Sequence, residues 1–313
     1  MNYTLNYLST MPEVFADALL GGKDRNAYNH KQEGEMGKAS RIRTSDENIQ
    51  NVGFGFHALG LKKGDKIAIF SENRPEWSMT DWACAHFGFV SVPIYQTSIP
   101  RQIDYIVNHA ECKVIIASSK ELAKTIISLK DKLNTLKHMV MIDEAGFDED
   151  WILSWDALLK KGVSEKKYSE KSISDITEKI KPDDLWSIIY TSGTSGLPKG
   201  VMISQFNIAA NVQQSQAALG FLKNKRWLSF LPLSHSFERV TSLFSFWVGA
   251  EIYYAESITK VADNLKEVKP QYMTTVPRLL EKVYAAVLDQ IASGFPRQTE
   301  DLQLGAGYRE RGR

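Results

Sequence analysis

The sequence predicts an α/β protein in which open, mostly parallel sheets are covered by helices on both faces. The first observation behind this prediction is an alternation of short apolar runs with segments of helical spacing along most of the 313 residues. The second is the composition, because 43% hydrophobic residues supply enough apolar material for a sizeable core. The third is the lack of any long sequence repeat, which argues against solenoids and propellers. The length suggests about two domains, or one large domain with a subdomain.

The first half of the chain shows the alternation in its simplest form. The run 66–70 is short and apolar, as is typical of a buried strand, and residues 76–89 follow it with apolar side chains close to helical spacing. Ser98 is placed to cap the next helix, which has Pro100 in its first turn. Strands are predicted over 66–70, 90–94, 114–117 and 138–142, and helices over 76–89, 99–109 and 121–129.

Residues 160–181 interrupt the alternation, because lysines replace the large apolar residues there. We expect a solvated connection in this stretch and place a boundary at its end, with one α/β subdomain over 1–180 and a second over 181–292. In the second subdomain, strands are predicted over 185–190, 226–230, 251–254 and 272–276, and helices over 205–219, 236–247, 258–268 and 277–291. Residues 293–313 show neither period, and we expect a disordered or frame-shifted tail.

Charge and cysteine content limit the partners and the compartment. Lys and Arg total 38 against 37 Asp and Glu, a net charge of +1, so no overall field favours nucleic acid as a partner. Cys84 and Cys112 lack the CxxC spacing, which favours a reducing compartment. The start of the chain does not resemble a signal peptide, and no apolar stretch is long enough for a transmembrane segment. A cytoplasmic protein is predicted, with peripheral membrane contact and oligomeric state left open.

The segment 186–202 has the composition of a polyphosphate cradle. An apolar strand runs into a loop in which glycines let backbone N–H groups approach an anion, hydroxyls add donors, and Lys199 supplies a positive charge. It is not a Walker A loop, because Pro198 stands where that pattern needs glycine and Gly200 stands where it needs Ser or Thr. The competing interpretation is a flexible Ser/Gly linker. A linker does not need the strand-like residues before this loop.

Residues 190–201, which read Tyr-Thr-Ser-Gly-Thr-Ser-Gly-Leu-Pro-Lys-Gly-Val, resemble the phosphate-binding signature of the AMP-forming, acyl-activating enzyme superfamily. A second segment, 231–239, reads Leu-Pro-Leu-Ser-His-Ser-Phe-Glu-Arg and resembles the next motif in its long-chain fatty acid–CoA ligase form. Ser234 is placed to cap the helix that follows, which would bring His235 to the mouth of the sheet crevice. Without the resemblance, His235 would more simply cap or pack. The simplest interpretation of Glu238 and Arg239 is a pair on one helix, and their roles stay open.

The resemblance covers about 46–291 and implies the large N-terminal part of an acyl-CoA synthetase, without the C-terminal lid. It implies ATP-dependent activation of a long-chain fatty acid to an acyl-adenylate and then an acyl-CoA, with ATP, Mg²⁺ and coenzyme A as cofactor or co-substrates. It also implies catalytic roles for His235 and Lys199 and a metal contact at Thr191. The expected nucleotide-binding residues are Thr191, Ser192, Gly193, Thr194, Ser195, Gly196 and Lys199.

Several family motifs expected after residue 291 are missing, namely those for adenine, ribose and the catalytic lysine of the lid. We therefore expect a truncated or frame-shifted product, and its activity on its own stays open. Two alternatives also stay open: a non-catalytic nucleotide-binding fragment, and a ligase of the same superfamily that acts on an aromatic or shorter acid. Phe244, Phe246 and Trp247 could line an acyl tunnel, although their helical spacing favours plain core packing.

Overall fold

A computed structural model describes residues 7–21, 26–32, 35–143, 146–169, 172–191, 197–219 and 224–294. The chain divides into one compact unit over Met1–Met273 and a second over Thr274–Arg313. The helices are α1 (Met11–Leu20), α2 (Ile42–Ala58), α3 (Pro75–Phe87), α4 (Pro100–His109), α5 (Lys120–Leu129), α6 (Trp155–Tyr168), α7 (Ile173–Thr177), α8 (Gln205–Leu219), α9 (Ser236–Trp247), α10 (Val261–Val268) and α11 (Pro277–Gly294). The strands are β1 (Asn26–Gln32), β2 (Glu35–Arg41), β3 (Lys66–Phe70), β4 (Val90–Ile94), β5 (Cys112–Ala117), β6 (His138–Met141), β7 (Ile152–Ser154), β8 (Leu185–Thr191), β9 (Lys199–Ser204), β10 (Arg226–Ser229), β11 (Glu251–Tyr254) and β12 (Tyr272–Met273).

Within the described residues of the first unit, the strands form two sheets. One has the order β7-β6-β5-β3-β4-β8-β9, in which every neighbouring pair is parallel except β8 with β9. The other has the order β12-β10-β11-β1-β2, again parallel except for the β1–β2 pair. Non-consecutive neighbours joined by helical crossovers are the hallmark of an open α/β sheet.

Strand β3 shows that the larger sheet is covered on both faces. Ile67 and Ile69 belong to one buried apolar cluster, and Ala68 and Phe70 belong to another. Because side chains alternate along a strand, the two clusters lie on opposite faces of the sheet. The second cluster includes apolar residues of α4 and α5, and the first includes residues of α2, α3 and α6. The predicted α/β fold class is confirmed.

The polar stretch 160–181 is not the solvated connection predicted from its lysines. Helix α6 runs through it to Tyr168, and α7 follows. The prediction was wrong because α6 is buried on one side only, at Trp155, Leu158 and Gly162, while its lysines cover the outer side. A Cβ on Gly162 would lie 1.7 Å from the backbone oxygen of Asn51, so glycine is what allows α6 to cross α2 so closely.

The sheets do not divide at the predicted subdomain boundary of residue 180. Strands β8 and β9 complete the larger sheet, and β1 joins β11 of the smaller one. Two helix starts also differ from prediction. Helix α4 is preceded by Ile99 rather than capped by Ser98, and the predicted helix over 258–268 begins as a 3₁₀ turn, Ile258–Lys260, before α10.

The second unit contains α11, in agreement with the helix predicted over 277–291. Proline is well suited to its first turn, because its fixed φ fits the helix and its missing N–H would have no helical acceptor there. The tail predicted over 293–313 lies outside the described residues from position 295 onward.

Candidate functional site

The loop predicted to bind phosphate connects the two strands of an antiparallel hairpin. Strand β8 is buried over residues 186–190 and lies beside β4, whereas β9 is largely exposed at the edge of the sheet. In the register of the hairpin Thr191 stands opposite Lys199, and both residues are exposed. A hydroxyl and an ammonium group therefore flank the two ends of the loop. The predicted nucleotide-binding residues Ser192, Gly193, Thr194, Ser195 and Gly196 lie outside the described residues.

Gly200, at the end of the loop segment, has a packing role. It pairs with Tyr190 in the hairpin, and a Cβ at position 200 would lie 2.7 Å from Cγ2 of Ile188 and 3.3 Å from the Tyr190 ring. Its φ is not in the left-handed region. Glycine at this position lets β9 lie close against the side chains of β8.

An aromatic pair supports the strand just before the loop. The Tyr190 hydroxyl lies 2.7 Å from Nδ1 of His109, whose ring stacks on Tyr105 with centroids 5.2 Å apart. Burial raises the pKa of Tyr190 above its usual value, so its hydroxyl keeps its proton at neutral pH. The end of β8 is thereby tied to α4.

The turn before α9 carries the predicted catalytic histidine. His235 is exposed and is the N-cap residue of α9, where its Nδ1 accepts a hydrogen bond from the backbone N–H of Phe237 at 3.2 Å. Ser234, the predicted cap, is buried and donates its hydroxyl to the carbonyl of Ile94 at 3.2 Å. The cap prediction was wrong by one residue. The imidazole caps the helix through Nδ1, which leaves Nε2 as the nitrogen directed to other partners.

Asn73 holds this turn from the other sheet. Its Oδ1 accepts from the N–H of Leu233 at 2.8 Å, and its Nδ2 donates to the carbonyl of Leu231 at 2.7 Å. Asn73 follows β3, and residues 231–233 follow β10, so one side chain joins the carboxyl-terminal ends of both sheets. This role was not predicted, although Asn73 lies in a segment that resembles the family.

A cleft of about 590 Å³ opens at these strand ends. Residues that follow β3, β4, β10 and β11 line it, including Asn73, Tyr95, Pro232, Ser234 and Ser257. Binding at the carboxyl-terminal ends of the strands is the general rule for open α/β sheets. Ser91 of β4 pairs in parallel with Ser187 of β8. Tyr95 and Thr191, each four residues further along the chain, therefore lie at the same carboxyl-terminal end of the larger sheet.

The three aromatic residues of α9 considered for an acyl tunnel pack in or against the core, as their spacing favours. Phe244 and Phe246 are buried, and Phe246 stacks on Phe15 and Tyr28 with centroids 5.2 and 5.5 Å apart. Trp247 is half-buried and donates its indole N–H to Asp17 at 2.7 Å.

Arg239 does not form the predicted pair with Glu238. Its side chain is 2% exposed, and its guanidinium makes a two-point ion pair with Asp81 of α3, with Nε 2.9 Å from Oδ2 and Nη2 bonded to Oδ1. No local sequence pattern indicates this partner, which is 158 positions away.

The group that could accompany a nucleotide at this site is Mg²⁺. The ion commonly takes one or two protein ligands and completes its shell with water and substrate phosphates. A single exposed hydroxyl at Thr191, beside the charge of Lys199, fits such a site. In the part of the chain that the structure describes, no cluster of His, Cys, Asp or Glu could hold a metal ion by itself.

Comparison with solved structures identifies the fold. The inhibitor-bound N-terminal domain of FACL13 from Mycobacterium tuberculosis superposes with a TM-score of 0.72 at 20% identity, over 88% of this chain and 64% of that one. A long-chain-fatty-acid-CoA ligase, FadD1 from Archaeoglobus fulgidus, gives a TM-score of 0.74 at 22% identity, over 92% of this chain and 55% of that one. The fold is that of the N-terminal domain of acyl-CoA ligases.

The sequence comparisons identify the family. The profile described as AMP-binding enzyme matches residues 39–306, and the chain belongs to that family. Peroxisomal long chain acyl-CoA synthetase 6 of Arabidopsis thaliana is 30% identical over 266 residues, which cover 82% of this chain and 36% of that protein. Long-chain-fatty-acid–CoA ligase 5 of Rattus norvegicus is 31% identical over 331 positions, which cover 98% and 46% respectively. The chain thus spans less than half the length of these two relatives.

The matched region is longer than the part recognised from the motifs. It begins before position 46 and continues past 291 into the segment set apart as a tail.

Among the described residues, no helix has the length and apolar character needed to cross a membrane.

Proposed function

We propose that this chain carries the phosphate-binding and acid-binding part of an ATP-dependent long-chain fatty acid–CoA ligase. The observation that carries the proposal is the β8–β9 hairpin. It sets Thr191 opposite Lys199 at the carboxyl-terminal end of β8, and the cleft opens at the same end of the sheet. The choice of a long-chain acid is supported by the names of the relatives that are about 30% identical. It is also supported by the segment 231–239, which resembles the long-chain fatty acid–CoA ligase form of the family motif.

The proposed reaction has two steps. A carboxylate is a poor electrophile and must first be activated. One of its oxygens forms a bond to the α-phosphorus of ATP, and the bond from that phosphorus to the oxygen that bridges to the β-phosphate breaks, which releases pyrophosphate. The thiol of coenzyme A then loses its proton and forms a bond to the acyl carbon, and the bond to AMP breaks. Catalysis of this kind depends on positioning and on neutralising phosphate charge.

The residues of this chain have separate parts in the first step. Lys199 and the loop that begins at Thr191 hold the β- and γ-phosphates, where Mg²⁺ supplies further positive charge when bound. His235 donates from Nε2 to the carboxylate or to the α-phosphate, because its Nδ1 is occupied by the helix cap. Asn73 keeps the turn of His235 in place relative to the cleft.

The test is fatty-acid-dependent exchange of radiolabelled pyrophosphate into ATP by the full 313-residue chain. We expect exchange with palmitate, and weaker exchange with acetate and benzoate. ATP binding without exchange would support the non-catalytic fragment, and a preference for benzoate would support a ligase for aromatic acids. Absence of both ATP binding and exchange would overturn the proposal.

We also propose a cytoplasmic location, supported by the two cysteines, which are buried and unpaired. The test is the location in the cell of two fluorescent fusions, one at each end of the chain, so that each end is left free in one of them. Accumulation in an organelle would contradict the proposal, and peroxisomes are the first to examine because the Arabidopsis relative is named peroxisomal.

A further inference from the structure

The guanidinium of Arg239 is surrounded by partners from three other elements. Besides Asp81 of α3, its Nη1 donates to Oγ of Ser187 on β8 at 2.7 Å, and its Nη2 donates to Oγ of Ser91 on β4 at 2.6 Å. The plane of the group also lies over the Trp186 ring, with 3.8 Å from Cζ to the ring centroid. All of these side chains are buried. The cluster therefore holds four elements together through one cation.

The two serines continue the connection into the backbone of the sheet. Ser187 donates its hydroxyl to the carbonyl of Ser91 at 2.8 Å, and Ser91 donates its own to the carbonyl of Trp186 at 3.2 Å. The same two serines stand opposite each other in the parallel register of β4 and β8. Arg239 thus binds the sheet at the point where these strands are joined.

Both ends of the proposed site lie a short distance from this cluster. On the helix side, the N–H of Arg239 donates to the carbonyl of His235 at 3.1 Å, so the two residues are one helical turn apart. On the sheet side, Ser187 and Trp186 lie on the strand that ends at Thr191. The route from the imidazole to the start of the phosphate loop therefore runs through one helical turn, the Arg239 guanidinium and the last residues of β8.

We propose that Arg239 is a positioning residue, which fixes the turn that carries His235 relative to the strand that leads to Thr191. The inference rests on the proposed function, since it gives these two residues a common substrate. Arginine is suited to the task because its planar fork makes several directed hydrogen bonds and stacks on an indole at the same time. A lysine would keep the charge and lose both the fork and the stacking.

The direct test measures the spacing of the two elements without relying on catalysis. Spin labels are attached at Val201→Cys on β9 and Ser236→Cys at the start of α9, both of which are exposed positions. The native cysteines are buried, so the labels report on the introduced ones. Pulsed electron–electron double resonance on the full chain should give a narrow distribution of the distance between the two labels. Arg239→Lys should broaden or shift that distribution. An unchanged distribution in Arg239→Lys would overturn the inference.

The control and a milder variant keep the test decisive. Arg226→Lys makes the same chemical change at the start of β10 and should leave the distribution unchanged. If Arg239→Lys loses its cooperative thermal transition, Ser187→Ala takes its place, because it removes the contact to β8 and keeps the ion pair with Asp81. A distribution as narrow as in the parent chain for Ser187→Ala would then overturn the inference.

Pyrophosphate exchange separates this inference from the proposed function. A positioning role predicts that Arg239→Lys lowers kcat for exchange about tenfold or more, with little change in KM for ATP. A rise in KM for ATP as large as the fall in kcat, or an unchanged kcat, would count against positioning. If the parent chain shows no exchange, the distance measurement alone decides the role of Arg239. The proposed function is overturned only if ATP binding is absent as well.

Discussion

Arg239 and Asp81 form a two-point ion pair in the interior of the first unit, although they lie 158 positions apart in the chain. Asp81 faces no solvent, with 1% of its surface exposed. A buried carboxylate of this kind is tolerable only because the guanidinium satisfies it with directed hydrogen bonds. The pair connects a helix of the first half of the chain with the motif that follows β10.

Removing one partner of this pair should be costly. We expect Asp81→Asn to lower the free energy of unfolding by about 3–5 kcal/mol, because it leaves the guanidinium buried without a counter-charge. The double variant Asp81→Leu with Arg239→Met should recover much of that loss, since it removes both charges together. Urea unfolding followed by circular dichroism measures both. A loss below about 1 kcal/mol for Asp81→Asn would show that the pair is not buried as described.

The crossing of α2 and α6 depends on a glycine. Gly162→Ala should destabilise the protein by about 3 kcal/mol, the upper part of the range for overpacking, because the new methyl group meets the backbone of Asn51. Gly200→Ala should cost less, about 1 kcal/mol, because it meets mainly the side chains of Ile188 and Tyr190, which can shift. Gly21→Ala, with nothing nearer than 3.3 Å, is the control. Equal melting temperatures for Gly162→Ala and Gly21→Ala would contradict the close crossing.

His86 should make the stability depend on pH in the mildly acidic range. Burial lowers the pKa of its imidazole below 6.5, and its Nδ1–H donates to the carbonyl of Trp82 at 2.7 Å. As the pH falls below 6.5, the unfolded chain therefore takes up the proton before the folded chain does, and the free energy of unfolding decreases.

Replacing His86 should weaken this dependence. The slope of stability between pH 7 and pH 5 should be smaller in His86→Gln than in the parent chain, as measured by urea unfolding at each pH. His138→Gln should reduce the slope less, because the pKa of the half-buried His138 is lowered by less complete burial together with neighbouring lysines. An identical slope in the parent chain and in His86→Gln would contradict the assignment.

The two roles of His235 can be separated by one substitution. Asparagine is among the best N-cap residues, so His235→Asn should keep α9 capped and change the melting temperature little. It removes the imidazole donor, and exchange of pyrophosphate into ATP should fall about 100-fold. Phe237→Ala, an exposed neighbour on the same helix, is the control for local packing. Full activity in His235→Asn would restrict His235 to the cap.

The elements that are buried on both sides were predictable from the sequence, whereas two half-exposed ones, β9 and α6, were missed. Strands such as β3 and β8 are runs of apolar residues, which makes them visible without an alignment. Strand β9 lies at a sheet edge with Val201 and Met202 exposed, and its apolar run is only three residues long (201–203), so it was not predicted as a strand. Helix α6 was missed for the related reason that lysines dominate its outer side.

The candidate site residues could be proposed from the sequence where a local motif carries them, whereas the contacts between distant residues could not. Thr191 and Lys199 lie in a segment whose composition indicates phosphate chemistry, and His235 is indicated by the resemblance of residues 231–239 to a family motif. The contacts of Asn73 with residues 231 and 233, and of Arg239 with Asp81, depend on the packing of two sheets and several helices. No spacing within the sequence encodes them.

The charge of Lys199 should contribute to nucleotide affinity. We expect Lys199→Ala to weaken binding of ATP or pyrophosphate by about 1–3 kcal/mol, through loss of a charge-assisted contact. Lys124→Ala on α5 removes a charge of the same sign at an exposed position and should leave the affinity unchanged. Isothermal titration calorimetry measures both. Equal affinities for the two variants would remove Lys199 from the site.

The most direct test of phosphate binding by the hairpin loop is hydrogen–deuterium exchange of the full chain with and without ATP and Mg²⁺. If the loop between Thr191 and Lys199 holds the phosphates, peptides that cover 191–199 should become protected when ATP binds, and Lys199→Ala should need more ATP to reach the same protection. Protection confined to other segments, with the exchange of 191–199 unchanged at saturating ATP, would contradict the central claim.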